Sequence, residues 1–145
     1  MIALGSDHGG YELKELIKEH LKNKNVELKD FGTDSPQSCD YPKIAKTVGQ
    51  AVAAGECETG ILICGTGIGM SIAANKIRGI RAACCSDTYS ARLSRLHNNA
   101  NVLCFGQRVV GYGLALDIVD SFLSSEFEGG RHQRRIGLID ELEKN

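Results

Sequence analysis

Short apolar runs and amphipathic stretches alternate along the whole chain, and that alternation predicts the fold. Residues 2–5, 26–28, 61–64, 80–84 and 102–105 are brief, apolar and mostly bounded by glycine or polar residues, which predicts buried strands. Between them the apolar positions recur at helical spacing. Leu13, Leu16, Ile17 and Leu21 share one face, as do Ile44, Ala45, Val48 and Val52, and then Tyr89, Leu93 and Leu96. Two more helices are expected over 113–123 and about 131–142. Strand and helix in strict alternation predict an α/β domain, because each parallel return needs a crossover. The expectation is a single domain, residues 1–145, with a five-stranded parallel sheet between helical layers in a three-layer, Rossmann-like α/β/α arrangement. "EFEGG" at 126–130 is the one plausible hinge, so the last helix is expected to project from the body and pack elsewhere, on a second subunit for example.

Open parallel sheets bind ligands outside the carboxyl ends of their strands, where the strand order reverses. Polar residues gather at those ends: Ser6, Asp7 and His8 after the first strand, Cys64, Gly65 and Thr66 after the third, Ser86 and Asp87 after the fourth. A strand order beginning 2-1-3 would bring Asp7, His8 and Cys64 into one crevice.

Composition removes several partners. Apolar residues are 42% of the chain, enough for a core, yet no run approaches the length of a membrane span. The net charge is −1 and no basic patch carries interleaved aromatics, so neither nucleic acid nor a membrane is an expected partner. "MIALGSDHGG" lacks a basic leader followed by an apolar core, which predicts a cytoplasmic protein. Six cysteines, at 39, 57, 64, 84, 85 and 104, form no CxxC and no zinc-like spacing with histidine, and several lie inside apolar runs. Reduced thiols are expected.

The densest chemistry is "ILICGTGIGMSIAANK", 61–76, where Gly65, Gly67 and Gly69 lead from a strand into a helix. A dinucleotide fingerprint needs GxGxxG. Here the third glycine is misplaced, although Asp87 stands at a suitable distance downstream. A P-loop would need a lysine that is missing. What remains is a packing turn or an anion nest, in which successive N–H groups at a helix start meet negative charge. Cys64 closes the strand beside that turn, where a thiol tends toward thiolate, and a base beside an anion hole is a catalytic arrangement.

Five ordered blocks, "GSDHGGYELK", "DYPKIA", "GILICGTGIGMSIAANK", "RLHNNANVLCFGQRVVG" and "EGGRHQRRI", span nearly the whole chain and together resemble ribose-5-phosphate isomerase type B and its galactose- and allose-phosphate relatives. The resemblance implies aldose–ketose isomerisation of a sugar phosphate, without metal or organic cofactor. It also implies a homodimer, or a dimer of dimers, with active sites at the subunit interface. By position, Cys64 resembles the base that moves a proton between C1 and C2. Gly65, Thr66, Gly67, Ile68 and Gly69 match the loop that holds the enediolate, with the Thr66 hydroxyl part of it. His97 matches the residue assigned to ring opening, with Asn98 beside it. Asp7 and His8 match substrate contacts, and Arg108, Arg131 and Arg135 match binding positions that include the phosphate clamp. One branch of the family uses a loop glutamate as base. Met70 stands at that position here, so the cysteine branch fits.

Each of these residues has a structural reading as well. Asp7 is placed to cap a helix, and His97 is placed to complement a helix C-terminus. Arg131 and Arg135, four apart, share a helix face, whereas His132 and Arg134 are expected at the surface or an interface. His20 is expected to be exposed, without a role. The other functions in play are isomerisation of a six-carbon sugar phosphate and a small nucleotide-binding module with a redox-sensitive thiol.

Overall fold

The computed structural model of the chain describes residues 1–144. Among them, β1 (Ile2–Ser6), β2 (Leu28–Asp30), β3 (Thr59–Cys64), β4 (Ala82–Cys84) and β5 (Val102–Gly106) pair into one parallel sheet of order β2-β1-β3-β5-β4. The helices are α1 (Tyr11–Asn23), α2 (Tyr41–Ala53), α3 (Ile68–Ala74), α4 (Thr88–Asn98), α5 (Tyr112–Leu123) and α6 (Arg131–Leu142). The order begins 2-1-3 as expected. It then steps to β5, leaving the three-residue β4 on the edge.

Period-two alternation along β3 divides the interior. Ile61 and Ile63 turn toward α1, α4 and α5, where they meet Leu13, Ile17, Ala91, Ile118 and Phe122. Leu62 and Cys64 turn toward α2 and α3, against Val48, Val52, Met70 and Ala74. Both faces of the three central strands are therefore dry, which is why β1, β3 and β5 read as continuous apolar runs.

Two strands start two residues later than their apolar runs suggest. At β2, Asn25 adopts a left-handed conformation and Val26 N–H still bonds back to Leu21 of α1, so pairing begins at Ile2↔Leu28. At β4, Ile80 N–H closes a turn onto Ile77, and the Asn101 side chain occupies Arg81 N–H and Gly79 C=O. The Asn75 amide then caps both the N–H and the C=O of Ala82, blunting this edge against a stray strand. On α4 the inward face carries Ala91 and Ser94, not the expected Tyr89, which is 62% exposed. Small side chains there let α4 lie close to α5. His20 also departs from expectation: it is half-buried and bonds Asp120 of α5 at 2.9 Å.

The C-terminal helix stands outside the two layers, yet it is tied to its own chain. Ile136 is buried, the Glu143 carboxylate receives Gly79 N–H, and the Glu143 carbonyl receives the Arg78 guanidinium. Leu138, Ile139 and Leu142 on this helix remain exposed.

Lys14 is wholly buried on α1. Its Nζ donates to both Asp30 oxygens, at 2.9 and 2.7 Å, and to the Thr33 carbonyl at 2.8 Å. That knot fixes β2 and the loop after it, the loop whose Cys39 N–H reaches His8. Burial alone would raise the Asp30 carboxyl, but the bonds from Lys14, Lys18 and Gly32 N–H outweigh it and hold the group below its ordinary value. Breaking a buried pair from one side strands a charge. Lys14→Ala should therefore cost about 3 kcal/mol in urea unfolding, the low end for such pairs because Lys18 stays at 2.9 Å from Asp30. A carboxyl depressed in the folded state stabilises above its unfolded value and loses that contribution as pH falls through the folded one. Wild-type stability should thus drop as pH falls below about 4, and the drop should be shallower in Lys14→Ala.

Candidate active site

The site begins where β3 ends. Cys64 is 6% exposed, and its Sγ accepts the Gly67 N–H at 3.0 Å. Gly67 has φ = 83°, a left-handed turn, and an added Cβ would sit 2.6 Å from the Phe105 backbone, so only glycine fits. The chain then enters α3 with Ile68 N–H bonded to Thr66 Oγ1 at 3.2 Å. Among the described residues, the N–H groups of Gly65, Thr66, Gly69 and Met70 find no protein acceptor. α3 has seven residues, so the attraction for negative charge comes from these nearby N–H groups more than from a long helix dipole.

Neighbouring strands complete this end. Asp7, after β1, uses Oδ1 to cap the short 3-10 turn at His8–Gly10 by accepting Gly9 N–H at 2.9 Å, which leaves Oδ2 available. The capping role expected of Asp7 is met, with its second oxygen left open to a ligand. His8 Nδ1 accepts Cys39 N–H at 3.2 Å, which places the proton of a neutral ring on Nε2 as a donor. After β5, Gln107 N–H bonds the Cys64 carbonyl at 2.9 Å and Arg108 N–H the Gly65 carbonyl at 3.1 Å. The Arg108 guanidinium lies over Gly65. The Tyr41 ring packs so tightly on Gly69 that no side chain fits between them. Sequence reasoning missed Tyr41, Gln107 and the Cys39 amide. Tyr41 stood inside a recognised block, but nothing marked its ring as a wall of the loop.

The remaining candidates lie elsewhere. β5 pairs with β3 from Gly60↔Val102 to Cys64↔Gly106, so the chain just before β5 stands where β3 begins. His97 and Asn98, in the last turn of α4, are at that end, separated from Cys64 by about 13 Å of strand. His97 stacks on His132 of α6, with ring centroids 4.2 Å apart and planes within 11°. Arg131 and Arg135 are exposed on that same helix. His132, expected at the surface or an interface, is instead packed within its own chain: it is 7% exposed, because the loop from 124 to 130 turns α6 back onto α4 and Glu128 N–H bonds the Leu96 carbonyl at 3.1 Å. Burial, then the neighbouring His97 and Arg131, hold its imidazole below the ordinary histidine value.

Two other readings can be weighed by geometry. Asp87, the acid at dinucleotide spacing, caps α4 through Ser90 N–H at 2.7 Å. His97, Glu128 and His132 bring potential ligand atoms within 4.8 Å of one another, the spacing of a divalent-ion site. Stacked parallel rings cannot both aim a lone pair at one ion, and Arg131 and Arg135 oppose a cation there. Burial, and after it other thiols nearby, push the Cys84 and Cys104 thiols up, and Cys85 to about 11, so these remain protonated. No helix among the described residues is long and apolar enough to cross a membrane.

Comparison with known proteins agrees with the fold. The ribose/galactose isomerase family model matches residues 2–139. Ribose-5-phosphate isomerase B of Escherichia coli is 56% identical over 143 residues, covering 99% of this chain and 96% of that protein. The structure of Clostridium thermocellum ribose-5-phosphate isomerase B has a TM-score of 0.98 at 58% identity, covering 99% of this chain and 97% of that one. The Mycoplasma genitalium enzyme with bound ribulose-5-phosphate has a TM-score of 0.95 at 46% identity, covering 99% and 95%. A doubly wound sheet with an amide-lined turn at its switch point is here the frame of an isomerase. The chain belongs to the ribose/galactose isomerase family.

The turn at Gly67 gives a direct check. Gly67→Ala forces a left-handed alanine against the Phe105 backbone, and strain of this kind costs about 1–3 kcal/mol. Its unfolding midpoint should fall accordingly, and isomerase turnover should fall further than the stability loss explains, because the amides around Cys64 are displaced.

Proposed function

We propose that the chain interconverts D-ribose 5-phosphate and D-ribulose 5-phosphate through a cis-enediolate, with Cys64 as the base. The observation that carries this reading is the Cys64 sulfur within 3.0 Å of Gly67 N–H, ringed by further N–H groups that lack a protein acceptor. The relative named ribose-5-phosphate isomerase B, at 56% identity, supports the choice of substrate.

The proton balance is simple. Cys64 as thiolate takes the proton from C2 of the open aldose, and the electron pair moves onto the C1 carbonyl oxygen. The enediolate charge is met by the N–H groups of Gly65, Thr66 and Gly69, with Thr66 Oγ1 free to donate its hydroxyl proton. One such donor is worth about 10²–10³ in rate in other enzymes. The O2 hydroxyl proton passes to O1, the Cys64 thiol returns its proton to C1, and the C2 oxygen becomes the ketose carbonyl, leaving Cys64 a thiolate again. Nothing is oxidised or reduced overall, so the reaction needs no external electron carrier. His97 opens the furanose first, taking the anomeric hydroxyl proton and supplying one to the ring oxygen.

One chain cannot do both steps in one place, because His97 and Cys64 stand at opposite ends of β3 and β5. We therefore read the active site as shared between two copies. One copy gives Asp7, His8, Cys64, the 65–69 loop and Arg108; the other gives His97, Asn98, Arg131 and Arg135. The two arginines would reach the phosphate from across that interface. Exposed Ile68 and Ile72 beside the base, and Leu138, Ile139 and Leu142 on α6, are apolar surfaces for such a contact. Six free cysteines fit a reducing compartment such as the cytoplasm.

Cys64→Ala should abolish isomerisation and solvent-proton exchange in a chain that still folds, and turnover near wild type would overturn the base assignment. His97→Asn should slow the cyclic aldose much more than the open ketose. Parallel rates on ribose 5-phosphate, allose 6-phosphate and galactose 6-phosphate should favour the five-carbon substrate, and a clear preference for a six-carbon sugar would move the assignment to that chemistry.

A further inference from the structure

The mechanism leaves a buried imidazole unused. His132 is 7% exposed, stacked on His97, and its Nε2 has no hydrogen-bond partner in the chain. Glu128 Oε2 lies 3.8 Å from that nitrogen, too far for a hydrogen bond. For packing alone, an apolar side chain would serve better, since a buried nitrogen without a partner is unfavourable. Something other than core stability retains an imidazole here.

The surroundings say what that is. The links that join the start of α6 to the end of α4 include the ring stack, and Glu128 N–H to the Leu96 carbonyl at 3.1 Å, one residue before His97. His97 itself is part-exposed, at a helix end whose next residue, Asn99, is already left-handed. Without a neighbour, such a ring would turn freely about its side-chain bonds. We propose that His132 is a positioning residue for ring opening: its flat face, held by α6, fixes the plane of the His97 ring toward the sugar of the facing subunit.

This rests on the proposed ring-opening role of His97 and adds the residue that makes it geometrically reliable. The charge pattern fits as well. Arg131 and Arg135 on α6 and His97 on α4 all disfavour a proton on His132, with Glu128 alone favouring one, so burial and these neighbours keep it neutral. A neutral face lets His97 gain and lose its own proton without a second imidazolium stacked against it.

The test compares His132→Leu, which fills the space without a flat ring, with His132→Phe, which restores the ring without its nitrogens. Urea unfolding checks that both variants are folded. Turnover of ribose 5-phosphate by His132→Leu should fall by about tenfold to a hundredfold in kcat, the scale of a misplaced catalytic group, with KM within about twofold. Deuterium exchange from solvent into ribulose 5-phosphate, which is already open, should stay near wild type, and His132→Phe should recover most of the aldose rate. Wild-type kinetics in His132→Leu, equal losses in both directions, or no recovery in His132→Phe would overturn the inference. His97→Asn run alongside separates the two levels. A directional split in His97→Asn without one in His132→Leu sinks the positioning role alone. No split in His97→Asn sinks the ring-opening role, and the positioning role with it.

Discussion

The direction of a parallel sheet decides what one copy of this chain can do. All five strands point the same way, so every loop that follows a strand gathers at one end and every helix ends at the other. Cys64 and its amide-lined turn follow β3. His97, at the end of α4, falls on the far side of the sheet with α6 folded against it. Neither a rotamer change nor a loop movement bridges a full strand length. Under the proposed mechanism, which needs both groups, a second copy has to supply one of them.

Each end is built for its task by different means. The base end is made of main chain: Gly67 in a left-handed turn, Gly69 under the Tyr41 ring, and Gln107 and Arg108 stitched to the carbonyls of Cys64 and Gly65. Backbone donors held by strands on both sides need little reorganisation when charge appears on a substrate oxygen. The opposite end is made of side chains on two helices that touch through a histidine stack and hydrogen bonds to the 124–130 loop. That end is less rigidly framed, and its residues need a packing partner to hold their orientation. The buried Lys14–Asp30 pair belongs to the first end, because it secures the loop that sets the His8 tautomer.

Most of the architecture could be read from the chain because both faces of the central strands are dry. Apolar runs then coincide with strands, and the 2-1-3 start supposed for a doubly wound sheet is the one observed. The errors came where a side chain, not a pattern, decides the local structure. Asn101 and Asn75 replace ladder bonds at β4, so Ile80 reads as strand yet lies in a turn. On α4 small residues face inward and Tyr89 does not. The base end was legible because glycine spacing and a strand-terminal cysteine are local signals. The separation of His97 from Cys64 was not, since it depends on which end of the sheet a helix finishes at. His132 was invisible for the same reason: its burial comes from the turn of the 124–130 loop, not from its neighbours in sequence.

The division of the site is open to one direct measurement. Cys64→Ala and His97→Asn chains, each nearly inactive on ribose 5-phosphate alone, are co-refolded in equal amounts and assayed together. If the base and the ring-opening histidine come from different copies, half of the dimers are mixed and each holds one intact site, so activity should return to about a quarter of wild type. Native mass spectrometry counts the mixed dimers. Mixed dimers in the expected number with no recovered activity would place both groups in one copy and contradict a site shared between subunits.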